Sequence, residues 1–310
     1  MNKNSVCSSD TLPSGSSLSQ NIYRGRFAPS PSGPLHFGSL VSALASYLDA
    51  KANQGIWLVR MEDIDPPREM PGAADTILKQ LEQHGLHWDE SVLYQSQRSK
   101  AYLSVLETLK QTDMIYRCQC SRQQLKNHQG IHNYHCEHLD PTSPSALRLT
   151  IQRPCEITFD DIFQGYQQQN IMDEVGDMVL YRKDKLFAYQ LAVVVDDAFQ
   201  QITHIIRGSD LLSSTPRQIY LQQQLKLPTP QYGHIPVAVN SGGQKLSKQN
   251  HAKSIDQNTP EKNLATAMNW LGLSLPKSLS NACCEELLTW GRSHWHNDKV
   301  PKMQEKVASS

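Results

Sequence analysis

Two short segments and one cluster of soft ligands hold the side chains of this sequence that could do chemistry. The first segment is GRFAPSPSGPLHFGSL, residues 25–40, where three glycines, three prolines and three serines surround His36. Gly33 and Gly38 let a ligand approach the backbone closely. Pro29, Pro31 and Pro34 stiffen the loop, so little entropy is lost on binding. An apolar helical pattern follows. Free N–H groups and the helix dipole make such a helix mouth an anion site, and His36 can donate a hydrogen bond to a phosphate oxygen. An ordinary turn with a capping histidine is the competing reading. The Walker pattern G-x-x-x-x-G-K-[ST] is absent. The second segment, NSGGQKLSKQN at 240–250, is a glycine turn followed by Lys245 and Lys248. Lysines on a mobile loop can follow phosphate charge as it develops in a transition state. The cluster is Cys118, Cys120, His132 and Cys136. Three thiolates and an imidazole suit a structural tetrahedral zinc. Tyr134, His135 and His138 compete with His132 for the fourth position.

These groups need elements to position them. Residues 22–28 read as a buried strand running into the loop, and Leu40, Val41, Leu44, Tyr47 and Leu48 recur at helical spacing. IWLVRM at 56–61 is a second strand, ending in Glu62, Asp63 and Asp65. Amphipathic helices are expected near 72–84 and 98–111. Strands alternating with helices of this length imply a parallel α/β sheet. From Tyr116 to about Asp184 the pattern is irregular and holds four of the seven cysteines, which marks an insertion. The α/β signal returns at 186–197 and 201–212, with a helix to about Leu225 and a strand-like HIPVAV at 234–239. A helix is expected near 264–271, then a small helical appendage and a frayed end. Cys283 and Cys284 read as core.

Hydrophobic residues make up 38% of the chain and charged ones 19%, so a core is affordable and wholesale disorder is excluded. A net charge of +0 gives no sign of a strongly basic nucleic-acid binder, although a local basic groove remains compatible with it. No apolar run approaches the roughly 20 residues that span a bilayer. Residues 1–20 are Ser- and Asn-rich without a signal-peptide core, and are expected to be a disordered tail on a cytoplasmic protein with no membrane contact. An odd cysteine count argues against a disulfide framework.

PLHFGS resembles the HIGH signature, and KLSK the KMSKS signature, of class I aminoacyl-tRNA synthetases. RFAPSPSGPLHFGSL, LVRMEDIDPPR and IIRGSDLL resemble the glutamyl/glutaminyl branch of that family. The resemblance implies a doubly wound, Rossmann-like α/β catalytic domain over residues 21–115 and 186–255, with ATP across the strand ends. The irregular stretch at 116–185, with its Cys/His cluster, is expected to be a zinc-containing α+β insertion. Only 60 residues follow Asn250, where a full glutamyl-tRNA synthetase carries a large anticodon-binding part, so 256–310 is expected to be a short helical region with no anticodon-binding domain. His36 and Gly38 match HIGH, with Ser39 in its last position. Lys245, Leu246, Ser247 and Lys248 match KMSK. ATP, carried with Mg²⁺, would contact His36, Gly38, Ser39, Lys245, Ser247 and Lys248, of which His36 and Lys248 would be catalytic. For L-glutamate, Arg26 would take the γ-carboxylate in a pocket lined by Phe27, Ala28, Pro29 and Ser30. Glu62 would hold the α-ammonium, with Tyr189 and Arg207 beside it. The reaction implied is in-line attack of the glutamate carboxylate on the α-phosphorus. The short KLSKQNHA ending and the C-x-C insertion are similar to the truncated group that glutamylates queuosine, the wobble base of tRNA(Asp), here as a monomer. A minimal synthetase charging tRNA(Glu) and a non-catalytic tRNA- or glutamate-binding paralogue are the alternatives.

Overall fold

The computed structural model describes residues 22–126, 130–132, 134, 136, 139–152, 155–240, 242–246 and 253–308. Ser247 and Lys248, the tail at 1–20, His135 and His138 lie outside the described residues.

Strand β1 (Arg24–Phe27) leads through the Pro/Gly loop into helix α1 (Phe37–Ala52), and β2 (Ile56–Met61) returns parallel to β1. The return is tight: a Cβ on Gly55 would stand 2.5 Å from the Tyr23 carbonyl, so only glycine fits there. Helix α2 (Ala73–Gln83) precedes the short strand β3 (Leu93–Tyr94), which extends the parallel sheet beside β2. Helix α3 (Ser99–Gln111) then carries the chain out of the sheet.

The irregular region forms its own structure. Strands β4 (Ile115–Cys118) and β5 (Ala146–Leu149) pair antiparallel, with the short helix α4 (Arg122–Lys126) between them. Strands β6 (Glu156–Asp161) and β7 (Gly165–Asn170) make a hairpin. Helix α5 (Ile171–Glu174) follows, and β8 (Met178–Tyr181) completes the β4–β5 sheet.

The parallel pattern resumes with α6 (Tyr189–Phe199), β9 (His204–Gly208), α7 (Thr215–Gln224) and β10 (Gln231–Ile235), β10 lying parallel to β9. The Thr203 amide donates to the Arg24 carbonyl at 2.9 Å and stitches this pair beside β1. HIPVAV is not one strand. Pro236 has no N–H to give a ladder, so β10 ends before it and β11 (Val237–Val239) begins after it. Helices α8 (Pro260–Trp270) and α9 (Cys284–His294) follow.

Two further sequence expectations do not hold. The stretch expected to be frayed includes a strand: β12 (Glu305–Val307) returns to pair parallel with β11. Three residues are too few to leave a periodic signal. Cys283 is exposed and Cys284 only part-buried, because Cys283 is the N-cap of α9 and its amide donates to the Glu286 carboxylate at 2.9 Å.

The sheet is covered on both faces. Along β2, Trp57, Val59 and Met61 join a cluster with α1, α8 and α9, while Leu58 joins the opposite cluster with α3, α6 and α7. That alternation is the strand period of two. Helix α1 is buried along nearly all of residues 40–50 because it lies between the sheet and the C-terminal helices. Its buried Asp49 accepts from the Tyr23 hydroxyl and from Trp295 Nε1.

Candidate active site

The helix mouth at α1 is built by His36. Its ring caps the helix, Nδ1 accepting from the Ser39 amide at 3.3 Å, and Nε2 lies 3.0 Å from Ser39 Oγ. A Cβ on Gly38 would stand 3.2 Å from that ring, so the absence of a side chain lets the imidazole fold over the first turn. Ser39 therefore orients the histidine. From α2, Gln80 Oε1 takes the Leu35 amide at 2.7 Å and fixes the approach. His36 both caps the helix and lines the cavity described next.

A cavity of about 730 Å³ opens at the carboxyl ends of the parallel strands. His36, Gly38 and Ser39 form one wall and Lys245 another, although some 200 residues separate them. Lys245 arrives on a turn with Gly243 at φ +75°. Leu246 N bonds the Ala238 carbonyl at 2.8 Å, so the lysine loop rides on β11. Lys245 Nζ reaches Asp210 at 2.6 Å.

The same cavity is lined by Arg26 from β1, Glu62 just past β2, Arg207 from β9 and Tyr189 from α6, together with Phe27, Ala28, Pro29 and Ser30. Arg26 carries an ion pair, Nε to Asp197 Oδ1 at 3.1 Å, and still faces the cavity. Arg60, fully buried, spans Asp197 at 2.8 Å and Glu62 at 3.4 Å. Burial pushes the Glu62 carboxyl above its ordinary range, against the pull of Arg60 and Arg26. Burial would also raise Asp197, but Arg26 and Arg60 outweigh it and hold that carboxyl low. Arg207 reaches Tyr189 Oη at 3.4 Å. Arg26, Arg207 and Glu62 thus face one space, which Arg68, Asp65, Glu69 and Asp210 also line; two guanidiniums beside the Glu62 carboxyl suit a small zwitterion with a second carboxylate.

The sulfur cluster lies apart, in the β4–β5–β8 region. His132 Nε2 stands 3.4, 3.5 and 3.5 Å from the sulfurs of Cys118, Cys120 and Cys136. The four ligand atoms all lie within 4.8 Å of one another, so this donor set could hold a metal ion. The ring is oriented from behind: Tyr116 Oη lies 2.8 Å from Nδ1 and donates to Asp177 at 2.6 Å. Arg148 Nε donates to Cys118 Sγ at 3.2 Å, which favours the thiolate. Tyr134 Oη is 3.6 Å from Cys120 Sγ, and its ring stacks on His132 at 4.4 Å.

Sequence reasoning passed over Arg60, Asp197, His234 and Asp161. A charge inside the apolar strand IWLVRM and the acids ending AVVVDD were the available signals, since charged groups inside apolar runs are seldom buried unpaired.

The family model for class I tRNA synthetases (E and Q), catalytic domain, matches residues 23–286. A "Glutamyl-Q tRNA(Asp) synthetase" of Thiobacillus denitrificans is 52% identical over 284 residues, covering 89% of this chain and 94% of that protein. A protein of the same name from Vibrio vulnificus is 47% identical over 300 residues, covering 96% and 97%. Among solved structures, the glutamate-tRNA synthetase of Elizabethkingia anophelis superposes with a TM-score of 0.78 at 26% identity, over 93% of this chain and 68% of that one. The chain therefore belongs to the catalytic-domain family of the class I tRNA synthetases for E and Q, alongside relatives named glutamyl-Q tRNA(Asp) synthetase.

Proposed function

We propose that the protein is a ligase that activates L-glutamate with ATP and transfers the glutamyl group to the queuosine base at the wobble position of tRNA(Asp). The acceptor follows the names of relatives that align over nearly their whole length. The observation that carries the chemistry is the single cavity that joins a helix-mouth anion site to the Arg26, Arg207 and Glu62 set.

In this reading Arg26 pairs with the γ-carboxylate, and residues 27–30 line its pocket. Glu62 takes the α-ammonium, whose positive charge would draw the raised carboxyl back to the ionised form. Tyr189 and Arg207 complete the glutamate site. His36, Gly38 and Ser39 receive ATP at the start of α1, and Lys245, Ser247 and Lys248 follow its phosphates. Mg²⁺ enters with ATP as part of that co-substrate. A glutamate carboxylate oxygen bonds to the α-phosphorus as the bond to the β-phosphate oxygen breaks, and pyrophosphate leaves. A queuosine hydroxyl then bonds to the adenylate carbonyl carbon, and AMP leaves. No protein side chain acts as nucleophile; the residues orient substrates and stabilise charge.

Residues 21–115 and 186–255 make the catalytic body, 116–185 the insertion, and 256–310 a short, mainly helical region. Cys118, Cys120, His132 and Cys136 would hold zinc as a structural ion, since all four positions come from protein.

The test is transfer of labelled glutamate from ATP and glutamate to tRNA(Asp), with and without queuosine, beside tRNA(Glu). Label on queuosine-containing tRNA(Asp) that survives removal of the 3′-terminal adenosine is the expected result. Label on tRNA(Glu), lost with that adenosine, would make this a conventional synthetase. Label on neither, with no glutamate-dependent ATP–pyrophosphate exchange, would make it a non-catalytic paralogue.

A further inference from the structure

Arg207 faces the cavity with its guanidinium held from behind. Its Nε donates to His234 Nε2 at 3.0 Å, one terminal nitrogen to Thr215 Oγ1 at 2.7 Å and the other to Tyr189 Oη at 3.4 Å. An arginine has no acceptor, so the first of these bonds requires a lone pair on Nε2. The imidazole must therefore be neutral and carry its proton on Nδ1.

The surroundings enforce that tautomer. Nδ1 lies 2.5 Å from Asp161 Oδ2. The other carboxylate oxygen of Asp161 accepts the amides of His234 at 3.0 Å, Phe163 at 3.1 Å and Gln164 at 2.9 Å. Burial alone would raise the Asp161 carboxyl, but these bonds and His234 hold it below its ordinary range. An ionised carboxylate only accepts, so the proton between the two belongs to Nδ1. His234 is 0% exposed, and the charged groups facing it are Asp161 at the end of β6, Arg207 on β9 and Asp210 just beyond β9. Thr215 from α7 lies 3.1 Å from Nε2. Burial, aided by the Arg207 charge, keeps the imidazole neutral down to about pH 4.

We propose that His234, fixed as the Nδ1–H tautomer by Asp161, is a positioning residue that orients the Arg207 guanidinium toward glutamate. The relay runs from the hairpin of the inserted region through β10 and β9 to the cavity. The proposal rests on the assignment of Arg207 to glutamate.

The experiment uses the full chain and two isosteric replacements. His234→Gln puts an amide oxygen near the place of Nε2 and keeps an acceptor for Arg207. His234→Asn puts an amide N–H near Nδ1, keeps the Asp161 contact and loses that acceptor. Calorimetric titration with glutamate, beside KM and kcat for tRNA glutamylation, is expected to show Kd and KM about tenfold higher in His234→Asn, with His234→Gln recovering most of that loss. The Kd for ATP should stay the same in both. Asp161→Asn supplies a second readout, because its amide donates to Nδ1 and moves the ring proton to Nε2, against Arg207. ¹⁵N spectra of labelled histidine should show Nδ1 protonated in the parent and Nε2 protonated in that variant, again with weakened glutamate binding. Equal weakening in Asn and Gln variants, or a proton on Nε2 in the parent, overturns the relay. Arg207→Gln separates the premise: unchanged glutamate affinity there removes Arg207 from the glutamate site, whereas a loss there with none in His234→Asn and Asp161→Asn removes only the relay.

Discussion

Four ionisable side chains interlock at the cavity: Arg26, Asp197, Arg60 and Glu62. Arg26, Arg60 and Asp197 are at most 3% exposed, so each charge is tolerable only while its partners stay ionised. Asp197 is the shared member, contacting both guanidiniums. Asp197→Asn would leave two buried cations with one carboxylate between them. It is expected to cost about 3–5 kcal/mol in urea unfolding, the range for breaking a buried pair from one side. A calorimetric titration of the folded variant should show weaker glutamate binding than the parent, because Arg26 would lose the contact that sets its angle. Arg26 and Glu62 were readable as candidate site residues, since they stand in recognisable segments at strand ends. Arg60 and Asp197 were not, because their partners come from β1, β2 and α6 and meet only in the folded chain.

At the scale of elements, the region between β4 and β8 frames the sulfur cluster. Cys118 ends β4, and His132 bridges to Gly176, just before β8. A Cβ on Gly176 would lie 2.5 Å from the His132 carbonyl, so glycine permits that approach. The sequence left the fourth ligand open between His132 and its neighbours. Among the described residues, the tight set is His132 with the three sulfurs, and Tyr134 stacks alongside. The expected outcome is about one zinc per chain by elemental analysis. His132→Ala should lose the metal and lower the melting temperature, whereas Tyr134→Phe should retain it. Retention in His132→Ala would place the ligand elsewhere. The last strand belongs to this scale too. By pairing with β11, β12 supports one side of the strand that carries the lysine loop on its other side.

For the whole molecule, buried and half-buried histidines shape the response to acid. Burial holds His84 and His204 below their ordinary value, and His234 near 4. A base with a lowered folded pKa stays neutral in the native state while the unfolded chain takes up a proton. Stability is therefore full above about pH 6.5 and falls as pH drops through the window to about 4 for His234. Melting curves from about pH 7.5 to about pH 5 should show a steady fall in Tm. The same series on His234→Gln should be less steep. Among the described residues no helix is long and apolar enough to cross a membrane.

The sequence by itself determined the local elements and the chemistry of each segment. Period-2 and period-3.6 patterns are written in consecutive residues, so IWLVRM and the helix after His36 were legible from side chains alone. Glycine, proline and the lysine pair marked the two segments proposed to receive phosphate for the same reason. Only the tertiary structure decided which segments share a cavity, which charges are buried and which atom of His234 carries a proton. Those properties depend on groups such as Asp161, Arg207 and His234, which lie far apart in the chain and are joined only when the strands pair. The paired charges hold because the folded interior removes water from between them, a condition that no short stretch of sequence records.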